Sequence, residues 1–99
     1  MITEIVRIPV DPDRAEDFLR AYEQASPDYY ASPGCLTHRL YRSDDEPDVL
    51  VGVVEWDSLE AHKSALESAA GEQFLAAIGP LTTRYPDVKF YTPAVATPR

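Results

Sequence analysis

Residues 48–56, with the sequence DVLVGVVEW, decide how this chain folds. Side chains along a strand point alternately to its two faces. One face receives Val49, Val51 and Val53, and the other receives Leu50, Val54 and Trp56. A strand that is apolar on both faces needs a cover on each. A chain of 99 residues has helices for one face only, so the sequence predicts a homodimer in which a second copy covers the other.

The chain before this segment predicts two further strands. Residues 2–10 alternate with period two and place Glu4 on an otherwise apolar face. The second strand, over residues 35–42, places His38 on an apolar face as well. Both strands therefore have one side suited to a covering layer of helices.

A helix is predicted between these two strands. Its apolar stripe recurs at i, i+3, i+4, i+7 and i+10, and consists of Ala15, Phe18, Leu19, Tyr22 and Ala25. Asp13 and Glu16 have the spacing of a capping box, so the helix is expected to begin there. Pro27 is expected to lie at or near its end, and residues 28–32 are expected to form a turn.

After residue 56, the pattern predicts an interrupted helix and a last strand. Asp57 or Ser58 is expected to cap the helix, Gly71 to interrupt it, and residues 72–78 to restart it. The residues expected to point inward are Leu59, His62, Leu66 and Ala69, then Phe74, Leu75 and Ile78. The final strand is predicted over residues 88–92.

The order of these elements is β-α-β, a hairpin, and β-α-β again. It predicts an α+β, ferredoxin-like sandwich. The halves, about residues 1–46 and 47–93, agree in length and in the order of their elements. The chain, residues 1–99, is interpreted as one domain with a core over residues 2–93 and a C-terminal tail over residues 94–99.

The charge of the chain argues against nucleic acid as a partner. Its 17 acidic and 9 basic residues give a formal net charge of −8, and the basic residues are scattered singly. Binding to nucleic acid depends on clustered Lys and Arg. No stretch reaches the ~18 apolar residues of a membrane span, and the N-terminus lacks the pattern of a signal peptide. We therefore expect a cytoplasmic protein that binds neither nucleic acid nor membrane.

The sequence also predicts no metal and no cofactor. Cys35 is the only cysteine, which excludes a structural site built from several thiolates. His38 and His62 have no carboxylates at ligand spacing, and no glycine-rich phosphate loop is present.

Three stretches give the chain a resemblance to a known family. They are the PGCL segment (residues 33–36) that enters the second strand, the EWDSLEAH segment (residues 55–62), and the restarted helix around Phe74 with the final strand that contains Tyr91. Over about residues 2–93 the chain resembles the antibiotic biosynthesis monooxygenase (ABM) domains. The resemblance implies a dimeric α/β barrel, in which two sheets pack face to face and each subunit holds a pocket between sheet and helices.

The resembling family includes cofactor-free oxygenases of phenols and anthrones, quinol oxidases, haem-degrading enzymes and proteins of unknown activity. Its haem-degrading members have an Asn on the first strand and a haem-ligating His on the later helix. This sequence has no Asn, and residues 76–79 read AAIG, without His. We therefore expect no haem degradation. Since fold likeness does not fix a reaction, the remaining activities stay open.

Three residues are the main candidates for chemistry. Trp56 is a core aromatic or, as the resemblance implies, a wall of the substrate pocket. His62 lies on the predicted apolar stripe, where it is either a structural histidine or a general base, since a histidine can exchange a proton near neutral pH. His38 poses the same question on the second strand. We interpret His62 and His38 as the candidate catalytic residues.

Further residues are candidates for substrate binding. Packing explains most of the tyrosines, but Tyr29 or Tyr30 could flank the mouth of a pocket and bond a phenolic ligand, because loops often carry binding residues. Arg39 could bind the anion of a deprotonated substrate, and Tyr91 belongs to the resembling final strand. Cys35 is interpreted as a small apolar residue.

These residues favour a cofactor-independent monooxygenase that converts a small phenol, anthrone or quinol into a quinone. Such a substrate, once deprotonated, can give an electron to molecular oxygen itself, so the protein must supply only a dry pocket, a base and hydrogen bonds. Two alternatives remain open: a non-catalytic dimeric module that binds a small molecule, and an isomerase or cyclase acting on a polyketide-like substrate.

Overall fold

Four strands form one antiparallel sheet in the order β2-β3-β1-β4 in the computed structural model, which describes residues 1–96. The strands are β1 (Ile2–Pro9), β2 (Cys35–Arg42), β3 (Val49–Trp56) and β4 (Asp87–Tyr91), and the helices are α1 (Ala15–Tyr30), α2 (Leu59–Glu67) and α3 (Ala69–Ile78). This order confirms the predicted ferredoxin-like plan. Of the predicted C-terminal tail, residues 97–99 lie outside the described residues.

The strand β3 lies at the centre of the sheet and alternates as predicted. Leu50, Val54 and Trp56 are buried under the helices, with exposed fractions of 3%, 1% and 0%. On the other face, Val51 and Val53 are only partly buried. We call the first side the covered face and the second the open face of the sheet.

The helix α1 corrects two predictions. It runs to Tyr30, so Pro27 lies inside it, and Tyr29 and Tyr30 are on a helix rather than in a turn. Proline costs a helix one hydrogen bond, but burial of the Tyr29 ring on the covered face offsets that loss. The Asp13–Glu16 capping box is also wrong: the Asp11 side chain accepts from the Asp13 backbone N–H at 2.9 Å and begins a short 3₁₀ turn instead.

The interruption of the second helix lies at Ser68 rather than at Gly71. Ser68 has an extended backbone (ψ 165°), and its hydroxyl accepts from the Gly71 backbone N–H at 3.1 Å, which caps α3. A side chain on Gly71 would collide with the carbonyl oxygens of Ala65 and Leu66, so glycine allows α3 to pack closely on the end of α2. Ser58, one of the two predicted caps, begins α2 by accepting from the Ala61 N–H at 3.1 Å.

The inward stripe of α2 is shifted from the prediction. Leu59 is 51% exposed and Ala69 is exposed, whereas Ala65 is buried and His62 and Leu66 are partly buried. The first residue of α2 lies at the margin of the sheet, and Ala69 begins the next helix with a new direction. In α3, Phe74 and Ile78 are buried as predicted, but Leu75 is 47% exposed. Within residues 1–96, none of the helices has the length and apolar character needed to cross a membrane.

Candidate functional site

A cavity of about 340 Å³ lies between the covered face of the sheet and the helices. Its floor is formed by strands β1, β3 and β4, and one floor position, Gly52, contributes no side chain. The helices contribute the walls, and Tyr85 and Pro86 lie on the loop at its margin. A shallower groove of about 510 Å³ adjoins this margin and includes Arg84. The main cavity is large enough for a small aromatic ligand.

Glu4 is the buried carboxylate of this cavity. Its side chain is 8% exposed, although it carries a charge on the apolar face of β1. One oxygen, Oε1, accepts from the Trp56 indole Nε1–H at 3.0 Å, and the other, Oε2, lies 3.3 Å from His62 Nε2. A buried carboxylate is tolerated when both oxygens have partners.

The contact with Glu4 orients the imidazole of His62. A carboxylate beside Nε2 favours the tautomer in which Nε2 carries the hydrogen, so Nδ1 is the nitrogen that can accept a proton. The ring is also held from two sides, edge-on against Trp56 at 5.4 Å and against Phe90 at 4.9 Å between centroids. His62 lines the cavity, so an imidazole of fixed orientation faces the cavity space.

Sheet register explains why these residues meet. Glu4 is paired with Phe90 of β4 on one side and with Val54 of β3 on the other. Trp56 is two residues beyond Val54 on the same face, and it ends the strand that leads through Ser58 into α2. The first turn of α2 then brings His62 back over Glu4.

Three tyrosines of α1 form the opposite wall. The Tyr22 hydroxyl donates to the Tyr30 hydroxyl at 3.2 Å, and the Tyr29 ring stacks on Phe74 at 4.7 Å. Burial raises the pKa of all three hydroxyls, and the charge of Glu4 adds to the rise. These hydroxyls therefore stay protonated at neutral pH and act as hydrogen-bond donors or acceptors rather than as anions.

Not every candidate from the sequence reaches the cavity. His62, Tyr29 and Tyr30 line it, and Trp56 lies fully buried beneath it, bonded to Glu4 but outside the lining. His38 is exposed on β2, and its ring stacks on Tyr30 at 4.1 Å.

The other two candidates for substrate binding, Arg39 and Tyr91, belong to the open face. Arg39 is paired with Val53, and Tyr91 is paired with Thr3, the neighbour of Glu4 that points the other way. Both are exposed and neither lines the cavity. Strand alternation thus separates them from His62 by the thickness of the sheet.

Sequence reasoning did not include Glu4, Tyr22 and Phe90 among the site residues. A signal for Glu4 was present, since one acidic residue alternating with apolar ones on a buried face needs a partner. Tyr22 carried only the signal of a packing residue on the α1 stripe. Nothing local marks Phe90, which belongs to the site because β4 pairs with β1.

Residues 1–96 contain no group of three or more His, Cys, Asp or Glu side chains placed to hold a metal ion. Cys35 is partly buried, and burial raises the pKa of its thiol, with the charge of Glu4 adding to the effect. It is therefore a poor nucleophile at neutral pH.

Comparison with known proteins agrees with this fold. The family model described as antibiotic biosynthesis monooxygenase matches residues 1–78, and the chain therefore belongs to that family. The Bacillus subtilis protein YczJ is 25% identical over 92 residues, which cover 92% of this chain and 97% of the relative.

Two solved structures illustrate the likeness. A candidate antibiotic biosynthesis monooxygenase of Bordetella bronchiseptica is 28% identical, with 95% of this chain and 97% of that chain covered and a TM-score of 0.86. SnoaB, a cofactor-independent oxygenase from Streptomyces nogalater, is 21% identical, with 99% and 97% covered and a TM-score of 0.82. The likeness to SnoaB is one of fold.

Proposed function

We propose that this protein is a cofactor-independent monooxygenase that oxidises a small electron-rich aromatic, a phenol or an anthrone, to a quinone. The observation that carries the proposal is the Glu4–His62 pair at the floor of an otherwise aromatic and apolar cavity. Membership of the antibiotic biosynthesis monooxygenase family favours the same reaction, as does the cofactor-independent oxygenase activity of the structural neighbour SnoaB.

In the proposed reaction, His62 Nδ1 removes the acidic proton of the substrate. Glu4 stabilises the imidazolium that forms, because its carboxylate lies 3.3 Å from Nε2. A base held beside its proton donor commonly accelerates a reaction by about 10²- to 10⁴-fold. The resulting anion is electron-rich and transfers an electron to molecular oxygen.

The cavity walls serve the second half of the reaction. Superoxide and the substrate radical combine at carbon to give a peroxide anion, which takes the proton back from His62. Loss of water then breaks the O–O bond and the remaining C–H bond at that carbon, so one oxygen atom stays in the product carbonyl and the other leaves as water. An apolar pocket suits these steps because it excludes competing water and strengthens each hydrogen bond to the anion. The neutral tyrosine hydroxyls of α1 are the donors available for that purpose.

We also propose that the functional unit is a homodimer formed through the open face. Ile5, Val51 and Val53 lie together on that face, and each is only partly buried within one chain. A second copy of the sheet would remove this apolar surface from water, at roughly 25 cal/mol per Å² buried. The cavity on the covered face would remain accessible in each subunit.

The test of the proposed reaction is oxygen uptake with a panel of anthrones, phenols and hydroquinols, with the product identified by mass spectrometry. We expect uptake with at least one anthrone or phenol and incorporation of one atom from ¹⁸O₂. Glu4→Gln should reduce the rate by about 10²-fold, since it removes the charge that stabilises the imidazolium. Glu67→Gln is the matched control, because Glu67 is exposed on α2 and does not line the cavity.

Two results would contradict the proposal. Tight binding of these aromatics without oxygen uptake would favour a non-catalytic binding module. Conversion of a substrate without consumption of oxygen would favour an isomerase or a cyclase that uses the same base.

A further inference from the structure

The hydroxyls of Tyr22 and Tyr30 form a polar pair that the proposed proton transfer does not use. Tyr22 donates to Tyr30, and the two oxygens lie 3.2 Å apart. Hydrogen bonds between hydroxyls are usually nearer about 2.7 Å. The bond is therefore long, and a ligand oxygen that enters the cavity can interact with the pair without displacing a strong contact.

The second hydroxyl of the pair has a hydrogen left to give. A tyrosine hydroxyl donates one hydrogen, and Tyr30 uses its oxygen to accept from Tyr22. Among residues 1–96, no side chain or carbonyl accepts the Tyr30 hydrogen. Both tyrosines line the cavity, so this hydrogen is available to a ligand there.

The Tyr30 ring is held in a fixed position. It stacks on the His38 imidazole at 4.1 Å with 13° between the planes. Tyr29 packs against it at 4.9 Å and Phe74 at 5.7 Å. A donor whose position is fixed before binding loses little entropy when the ligand arrives. This packing assigns a role to the exposed His38, which is to hold Tyr30 rather than to act as a base.

The pair faces the Glu4–His62 base across the cavity. Strand pairing places Glu4, Val54 and His38 in one row across β1, β3 and β2. Tyr30 packs over His38, whereas His62 packs over Glu4. Neighbouring strands are about 4.8 Å apart, so Glu4 and His38, at the two ends of the row, are separated by about 10 Å. A ligand between them meets a base on one side and a hydroxyl donor on the other.

We propose that Tyr30 binds the carbonyl oxygen of the aromatic substrate on the side away from the base, and that Tyr22 is a positioning residue that holds the Tyr30 hydroxyl. This inference deepens the proposed function and rests on it for the class of ligand. When the base removes a proton from one side of an anthrone-type ring, negative charge moves to the carbonyl oxygen on the other side. A donor at that oxygen stabilises the charge as it develops.

The test measures binding, not turnover. Anthraquinone and anthracene have the same ring system, but only anthraquinone has carbonyl oxygens, and neither needs to react with oxygen. We expect Tyr30→Phe to weaken the binding of anthraquinone by about 3- to 10-fold, as for loss of one neutral hydrogen bond. Anthracene binding should not change. Tyr41→Phe is the control, because Tyr41 pairs with Val51 on the open face.

Two further measurements show whether the Tyr30 hydroxyl bonds the ligand or only supports the structure of the cavity. Tyr22→Phe should weaken anthraquinone binding less than Tyr30→Phe, and should add nothing in a Tyr30→Phe background. The infrared carbonyl stretch of bound anthraquinone should lie at a lower frequency in the unaltered protein than in Tyr30→Phe.

The proposal is overturned if Tyr30→Phe leaves the binding of both ligands and the carbonyl stretch unchanged, or if it weakens the binding of both ligands equally. It is also overturned if the unaltered protein does not prefer anthraquinone to anthracene. These results differ from failure of the proposed function, which would appear as an absence of oxygen uptake while the selective binding persists.

Discussion

The two faces of the sheet share the apolar strand β3 but differ in what completes them. On the covered face, the chain's own helices bury Leu50 and Val54 almost fully, and even the charged side chain of Glu4 is largely buried. On the open face, Val51 and Val53 remain partly exposed. The difference shows that one chain encloses a cavity with a buried carboxylate on one side and leaves apolar surface uncovered on the other.

The largest effect is expected on the open face. Val53→Asp should abolish the dimer or the fold, because an unpaired charge buried in an interface costs several kcal/mol. Light scattering at micromolar concentration should find two chains per particle in the unaltered protein and one in the variant. Gln24→Asp, which adds the same charge at an exposed position of α1, should leave the mass unchanged. A monomeric unaltered protein would contradict the homodimer.

On the covered face, His62→Ala should lower kcat by about 10²-fold or more, equivalent to roughly 2.7 kcal/mol. Lys63→Ala is the control, since Lys63 is the exposed neighbour of His62 on α2 and does not line the cavity. Full activity in His62→Ala would make the histidine structural and leave the reaction without its base.

Trp56→Phe is expected to destabilise the fold by about 1–3 kcal/mol, because Glu4 Oε1 would lose its partner while still buried. The family resemblance implied that Trp56 forms a wall of the substrate pocket. The structure gives Trp56 a bond to Glu4 instead, so unfolding in urea is the measurement to make. The penalty should shrink in a Glu4→Gln background, where no charge is left unpaired. Equal penalties in both backgrounds would mean that only packing is lost.

The smallest effect concerns alkaline pH and the tyrosine wall. Burial raises the pKa of Tyr29 and Tyr30, whereas tyrosine in an unfolded chain ionises near pH 10. Above that pH the unfolded chain binds fewer protons than the folded chain, so stability is complete below about pH 10 and falls as pH rises. The slope is up to about 1.4 kcal/mol per pH unit for each tyrosine.

Urea titrations between about pH 9 and 11 would measure this slope, because tyrosine in an unfolded chain ionises within this range. Tyr29→Phe and Tyr30→Phe should each reduce it. Tyr85→Phe should not, because Tyr85 is 97% exposed. If the slope is the same in all four proteins, the wall tyrosines ionise at the same pH in the folded and in the unfolded chain, which would contradict the prediction.

The sequence was sufficient for the strands, for the order of the elements along the chain and for the two-faced character of β3, because these depend on local patterns. It was insufficient where distant segments meet. Glu4 and Trp56 are 52 residues apart, and only the β1–β3 register places the indole N–H beside the carboxylate. Local rules also misplaced the end of α1, since a proline signal was weaker than the burial of Tyr29.

The position of the break between α2 and α3 gives the same lesson. Gly71 is the obvious helix breaker in the sequence, but the backbone turns at Ser68, whose hydroxyl caps the next helix. The glycine instead allows close contact with the preceding helix. The presence of Gly71 therefore predicted that the helix is interrupted, but tertiary packing decided that the interruption lies at Ser68.

Gly52 at the cavity floor helps to set the volume of the cavity, although the strand could form with a larger residue at this position. A methyl group there would meet Val6 at 3.7 Å, which is an ordinary contact, so the strand itself does not need glycine. The missing side chain therefore adds open space to the cavity. A single substitution at Gly52 could therefore reduce the volume of the cavity in a related protein. His62, the tyrosine wall and the open face would not change.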